Sequence, residues 1–482
     1  MPPTQTEDFT PPLTTEAATV SNGHAGDDDC SKLRLLPLSP LDAMMHKLGV
    51  VLLYIFPRPA SSSAAYDHSK LKSSFVTLVD EDYPILIGEL HVDAQTGNVS
   101  VKQTAEARQE GAAGIRFETN SESSMTTDEA MATLSWGLMP TPRGQTELVG
   151  VKTTLLSDGG LVVGVDVSHT LLDGEGVFTF MTAWGQHYRG MDKKDRLVIN
   201  HDRHLLGGSG SPSRQPHPEF QVIETKPATE ENDVPADSPV PVPPPTSQHR
   251  FHFTPAMMKK IKEVARQDAG LGPADPAYVS TIDAITALFT ALISQARGHG
   301  QDVKVTTAVN ARCRLSPHLP TNYAGNVIFS ALSSYRAAEL RPEDNEGGSV
   351  SPSTLSKLAQ RVRSSIRGSD DSYLRDAMNF MTSQGNLLAI QPVTNFVFGP
   401  DIMFTSLVRT GMYNAEFEGT RPWFVSVPKL PFDGFVIITE APKGSPGVDV
   451  LVFLESTAIE KLEVLFAEVT CLHEDQLLRP TM

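Results

Sequence analysis

The side chains best placed to do chemistry in this chain of 482 residues lie in one heptapeptide, Ser168-His169-Thr170-Leu171-Leu172-Asp173-Gly174, an HxxxDG pattern. An imidazole with an ordinary pKa of about 6.5 can take a proton from a substrate near neutral pH and return it later, so the chemistry on offer at His169 is general acid–base catalysis. Spacing alone is weak support, because a chain with 14 histidines and 57 acids produces such pairs by chance. His24 and Asp28 form one, in a polar stretch where nothing would hold an imidazole in place. On the residues alone two readings stay open: a base presented at a strand-to-helix junction, or a satisfied strand-end histidine with Asp173 capping the next helix. A triad in which Asp173 orients His169 does not follow from the spacing. The Asp-Gly step implies a turn, not a continuous helix on which residues four apart share a face.

The elements around the heptapeptide are legible from periodicity. A run ending at Leu156, the turn Ser157-Asp-Gly-Gly160 and the alternating Leu161, Val163, Val165 and Val167 predict a hairpin, with glycines supplying the positive φ of a tight turn. Beyond Gly176 the spacing of Val177, Phe180, Met181 and Trp184 becomes helical. Farther on, Thr254-Pro255 predicts a helix start with Met257, Met258, Ile261, Val264 and Ala265 on one side and a stop at Gly270. Thr281 to Arg297 predicts a more buried helix, and a loop over 341–353 precedes a third with Leu355, Leu358, Val362 and Ile366 inward. Strand-like runs cover 303–309, 422–427, 434–440 and 448–454. The class is α/β in both halves, with mixed sheets.

Two segments read as unfolded. Residues 1–31 hold six acids and no Lys or Arg, and 215–248 hold six acids, one Lys and nine prolines, so neither can bury enough apolar surface to offset its ordering entropy. This divides the chain into an acidic tail (1–31), an N-terminal domain (32–205), a Pro-rich acidic linker (206–249) and a C-terminal domain (250–482). Most of the net charge of −17 belongs to tail and linker, and with no dense Lys/Arg run a nucleic-acid partner is not expected. Cys30, Cys313 and Cys471 form no Cys-x-x-Cys pair, which fits a reducing, cytoplasmic setting. The longest apolar run, Val50 to Phe56, is far short of the ~20 residues a membrane span needs, and no secretory signal is visible. His201-Asp-Arg-His204 lacks a third ligand, so no metal is expected. The glycines at 174–176 and 207–210 lack the strand and acidic partner of a dinucleotide fingerprint.

Further anchors accompany the heptapeptide in a fixed order: Leu38-Ser-Pro-Leu-Asp42, Tyr83-Pro84 with Gly88, His169-x-x-x-Asp173-Gly174, Ser280-Thr-Ile-Asp283, Asn310-Ala-Arg312 and Tyr323-Ala-Gly-Asn326. With these the chain resembles the BAHD family of CoA-dependent acyltransferases, and within it the fungal members similar to trichothecene O-acetyltransferases. The resemblance runs from about residue 33 to 455. It implies two domains like chloramphenicol acetyltransferase, mixed sheets flanked by helices, a channel along their interface with His169 midway, and function as a monomer. The implied reaction moves an acyl group, most simply acetyl, from acyl-CoA as co-substrate to a hydroxyl of a small secondary metabolite. His169 is the implied general base, with no covalent acyl-enzyme and no tightly bound cofactor. No G-x-S-x-G elbow offers a competing nucleophile. Asp173 is implied to turn from the cavity and pair with Arg312, with Gly174 and Asn326 supporting the motif.

The second family signature, DFGWG, is degenerate here, reading Glu416-Phe-Glu-Gly-Thr-Arg-Pro422. In relatives that loop is structural. Thr405-Ser406-Leu407 stands where plant relatives carry Thr-Ser-Trp; the Leu407 side chain cannot donate a hydrogen bond, so the Thr405 or Ser406 hydroxyls, a backbone N–H or water must serve if an oxyanion is stabilised there. Lys259 and Lys260 (with Lys262) are candidates for the phosphates of CoA, against the plainer reading of a solvated helix face. Alternatives are a condensation or cyclisation on the same base, although Ser168 replaces the first His of the related HHxxxDG motif, and a catalytically silent ligand binder.

Overall fold

A computed structural model describes residues 33–61, 63–223, 243–267, 278–341 and 350–475. The acidic tail with Cys30, the centre of the Pro-rich stretch, Gly270, most of the 341–353 loop and the Cys471 side chain lie outside the described residues. Among the described residues no helix is long and apolar enough to cross a membrane.

The first half runs through β1 (Arg34–Pro37), the single turn α1 (Pro40–Ala43), β2 (Gly49–Phe56), α2 (His68–Asp82), β3 (Glu89–Val92) and β4 (Val99–Gln103). Two short helices, α3 (Ala105–Glu110) and α4 (Thr127–Thr133), flank β5 (Phe117–Asn120). The expected hairpin follows as β6 (Val149–Leu155) and β7 (Leu161–Ser168), antiparallel with Leu155 opposite Leu161, and Gly159 takes the positive φ at its turn. Helix α5 (Gly174–Tyr188) starts two residues before the helical spacing becomes visible.

The second half contains β8 (Phe220–Val222), β9 (Thr246–Phe253), α6 (Pro255–Gln267), α7 (Thr281–Arg297), β10 (Val303–Asn310) and β11 (Ile328–Tyr335). Then come α8 (Pro352–Gly368), α9 (Asp371–Ser383), β12 (Ile390–Pro392), β13 (Ile402–Ser406), β14 (Phe424–Ser426), β15 (Phe435–Glu440), β16 (Val448–Glu455) and α10 (Ser456–Asp475). Helix α7 begins where its sequence says, because Ser280 and Asp283 cap each other's backbone N–H.

Two mixed sheets carry the molecule. One has the order β14-β2-β7-β6-β5, the other β11-β10-β13-β15-β16-β9. Strand β7 is buried along its whole length: Val163, Val165 and Val167 join the main core, while Val162 packs with Leu53, Ile55, Leu138 and Met139 on the opposite face. A strand covered on both faces is a rigid base for the turn that follows it. The 422–427 run does form a strand, but β14 pairs with β2 of the first half, Val425 opposite Tyr54, instead of with its sequence neighbours. It covers what would otherwise be an apolar open edge.

The unfolded reading of 215–248 fails at both ends. His217 and Glu219 are buried, β8 pairs with β12, and β9 already starts at Thr246. The cause is Asp376 on α9, whose carboxylate accepts from Ser213 Oγ (2.8 Å) and from the backbone N–H of Arg214 (2.9 Å) and Gln215 (2.9 Å). The ring of His217 sits between Asp376 (3.0 Å) and Glu219 (3.2 Å).

Candidate active site

Ser168, the last residue of β7, is held by its N–H to the Leu148 carbonyl, and His169 by its N–H to the Leu48 carbonyl (2.9 Å). The chain then turns, with the Leu171 N–H returning to the Ser168 carbonyl, and Asp173 caps α5 by accepting from the Gly176 N–H (2.9 Å). His169 is thus fixed at the end of a buried strand and is itself only half-buried. Its Nδ1 lies 2.7 Å from Asn326 Oδ1, across 157 positions of sequence. Asn326 Nδ2 also donates to the His169 carbonyl and, at 3.2 Å, to Asp42 Oδ1. Among the described residues none hydrogen-bonds His169 Nε2.

Asp173 does not hydrogen-bond His169. Its fully buried carboxylate accepts from Arg312 Nη1 (2.8 Å) and Nη2 (2.9 Å), with the Val327 N–H at 3.1 Å. Arg312 Nη2 also donates to the carbonyls of Tyr323 and Gly325. Burial works against the Arg312 charge, but Asp173 beside it more than compensates and holds the guanidinium above its ordinary pKa. One bidentate ion pair therefore ties the start of α5 to the loop between β10 and β11. Glu175 extends it, within 3.8 Å of Arg312 Nε and hydrogen-bonded by Asn310 Nδ2.

Gly174 marks a close approach: a Cβ there would come 2.9 Å from Leu407 Cδ2. This brings the segment after β13 against the motif. Thr405 and Ser406 end β13, paired with Ile437 and Ile438, half-buried, and neither hydroxyl has a hydrogen-bond partner among the described residues. Lys259 and Lys260 are not brought to this constellation. They lie on α6, which packs on α7, α8 and β9, and Lys259 faces Glu263 at 3.9 Å while Lys262 lies over the Tyr278 ring.

The degenerate 416–422 loop has a clear place. Phe417 is fully buried against Phe56, Trp184 and Tyr188, and Glu418 Oε1 accepts from the Tyr188 hydroxyl (2.6 Å) and Lys70 (2.7 Å). The loop is anchored to the first half by an aromatic plug. In His201-Asp-Arg-His204, the imidazole of His201 donates from Nε2 to the Asp82 carbonyl, and burial lowers its pKa to about 4. The grouping of Glu81, Asp82 and His187 is filled by the Arg196 guanidinium, 2.6 Å from Glu81.

Two residues of the site have partners that the sequence does not assign, although Asp42 closes the anchor Leu38-Ser-Pro-Leu-Asp42. Asp42 is fully buried and joins Asn326 from a distance of 284 positions. Arg203, also buried, reaches the Leu171 carbonyl (2.9 Å) and comes within 3.6 Å of Asp42. Its path is what requires Gly325, where a Cβ would fall 1.6 Å from Arg203 Nη1.

The chain is similar to known proteins along most of its length. The model of the Transferase family matches residues 27–468. A hydroxycinnamoyltransferase of Narcissus pseudonarcissus is 27% identical over 441 residues, covering 89% of this chain and 94% of that one. Agmatine coumaroyltransferase-1 of Hordeum vulgare is 28% identical over 444 residues, covering 88% and 91%. Among solved structures, F. graminearum TRI101 complexed with coenzyme A and deoxynivalenol aligns with a TM-score of 0.72 at 16% identity, covering 91% of this chain and 98% of that one. Vinorine synthase aligns at 0.64 and 18%, covering 91% and 97%. A condensation domain of the polyketide synthase MokA aligns at 0.55 and 12%, covering 92% and 98%. The named sequence relatives are plant proteins, so a fungal branch is not what they single out. A match along nearly the whole chain, with the fold to go with it, makes this protein a member of the Transferase family, the BAHD-type CoA-dependent acyltransferases.

Proposed function

We propose that this protein transfers an acyl group from acyl-CoA to a hydroxyl of a small metabolite, with His169 as the general base. The observation that carries the reading is the contact of His169 Nδ1 with Asn326, while Nε2, at the junction of the two halves, has no hydrogen-bond partner among the described residues. An alcohol is a poor nucleophile toward a thioester near neutral pH. Nε2 takes the hydroxyl proton as the oxygen attacks the thioester carbon, and the tetrahedral intermediate collapses by breaking the C–S bond. The proton then goes from the imidazolium to the CoA thiolate. No bond between acyl group and enzyme forms. The hydroxyls of Thr405 and Ser406, beside the motif through Leu407 and without a hydrogen-bond partner among the described residues, are the proposed donors to the oxyanion. Asp173 and Arg312 hold the motif loop. Since His169 and Asn326 come from one chain, the proposed working form is a monomer.

The acyl group proposed first is acetyl, on the resemblance to trichothecene O-acetyltransferases. A longer aromatic acyl group is the second reading, favoured by relatives named hydroxycinnamoyltransferase and coumaroyltransferase. Purified protein supplied with acetyl-CoA or p-coumaroyl-CoA, and with deoxynivalenol, shikimate or agmatine as acceptor probes, tests both by CoA release and product mass. Turnover that His169→Ala abolishes is the expected result. Equal activity in wild type and His169→Ala would overturn the proposal.

A further inference from the structure

We propose that Asp42 is a positioning residue: it locks the amide of Asn326 in one orientation and thereby decides which nitrogen of His169 carries the proton. The inference rests on His169 being the base. Asn326 Nδ2 meets Asp42 Oδ1 at 3.2 Å and also contacts the His169 carbonyl. A carboxylate and a backbone carbonyl only accept hydrogen bonds, so the end of the amide that meets both is the NH2. The other end is then an oxygen, and it faces His169 Nδ1 at 2.7 Å. Nδ1 must carry the hydrogen, and the lone pair is left on Nε2, where a substrate proton can be taken. Reversing the amide would set oxygen against oxygen at two contacts and NH2 against Nδ1 at the third.

Asp42 is suited to this role because it cannot turn. Each of its oxygens is met only by donors: Oδ2 by the Ser39 N–H (2.9 Å) and Oγ (2.7 Å), Oδ1 by the Asn326 N–H (3.0 Å) and Nδ2. The Arg203 guanidinium, 3.6 Å from Oδ1, offsets its buried charge, and Gly325 is what lets that side chain through. Three separated segments, around residues 42, 203 and 326, thus converge on the tautomer of one imidazole. When His169 becomes imidazolium in the reaction, Nδ1 keeps its acceptor, so the ring need not rotate between taking and returning the proton.

The test uses full-length protein labelled with 15N-histidine, the His169 signals being those missing in His169→Ala. Wild type at neutral pH should show protonated Nδ1 and unprotonated Nε2. Asp42→Asn, which can present either end of its own amide, should show a mixture. CoA release from acetyl-CoA or p-coumaroyl-CoA should fall at least about tenfold in kcat with KM for the acyl-CoA within about twofold, since imidazoles in the wrong tautomer lose up to about 10⁴ in kcat. Asp42→Glu, which keeps the charge but displaces it, is the second variant and should behave as Asp42→Asn if the latter does not fold. A wild-type signal from Nε2–H, or Asp42 variants that fold and retain a single tautomer and full kcat, would overturn the proposal. Undiminished turnover in His169→Ala would instead sink the base assignment, while the tautomer measurement would still decide the role of Asp42.

Discussion

His169 has different company at its two ring nitrogens among the described residues, and this is the asymmetry that its proposed role as base requires. Nδ1 is occupied by Asn326, and the ring is fixed at the end of a strand buried on both faces. His169→Ala should therefore lose about 10²- to 10⁴-fold in kcat, the usual contribution of a positioned base, while calorimetry finds CoA binding unchanged. Loss of CoA binding with the base would mean that His169 shapes the site and does not do its chemistry. Asp173 predicts a different signature. Its carboxylate is buried and faces Arg312, so Asp173→Asn leaves a guanidinium short of its counter-charge in the interior. Breaking a buried pair on one side costs about 3–5 kcal/mol, which should appear as a lower urea midpoint. The heptapeptide could be singled out from sequence because strand and helix periodicity frame it. Asp42 and Arg203 could not be given roles in that way: their partners are brought by folding across hundreds of residues, and spacing carries no trace of such a contact.

At the scale of elements, what could be read in advance follows from local physics. Helix α7 was legible because its apolar face and its reciprocal Ser280–Asp283 cap lie within one window, and the β6–β7 hairpin because its turn demands glycine. The attachment of 213–222 to α9 was not, because a Pro-rich acidic composition counts Glu219 as solvated charge when it is a buried partner of His217 and of the Tyr373 hydroxyl. This latch has a pH signature. Burial opposes the His217 charge, but Glu219 and Asp376 on either side outweigh it and raise its pKa above the ordinary value. A group whose folded pKa is raised stabilises fully below its unfolded value near 6.5, and that contribution is lost as pH rises through the folded value. Between pH 6 and pH 9 the melting temperature of wild type should therefore fall by more than that of His217→Gln. Parallel curves would remove His217 from the balance.

At the scale of the molecule, the two halves are less separable than a linker between them suggests. The main core contains Trp184 and Phe180 together with Phe417, Tyr323 and Ala311, and β14 completes the sheet of the first half. Residues 1–235 expressed alone, a cut within the Pro-rich stretch that leaves β9 whole in the other piece, should lack fixed tertiary structure by near-ultraviolet circular dichroism, and co-expression with 236–482 should restore it. A native-like spectrum from the first piece alone would show that β14 and the Phe417 plug are dispensable. The same strand bears on how such enzymes can be recombined. A chimera that exchanges everything before the linker with a relative would set foreign β2, Trp184 and Tyr188 against a resident β14 and Phe417, and the misfit would arise far from the join. The unit that travels as one is the first half plus the stretch from Glu416 to Ser426, so a graft meant to alter substrate choice needs two further crossovers, placed around that stretch inside the second half.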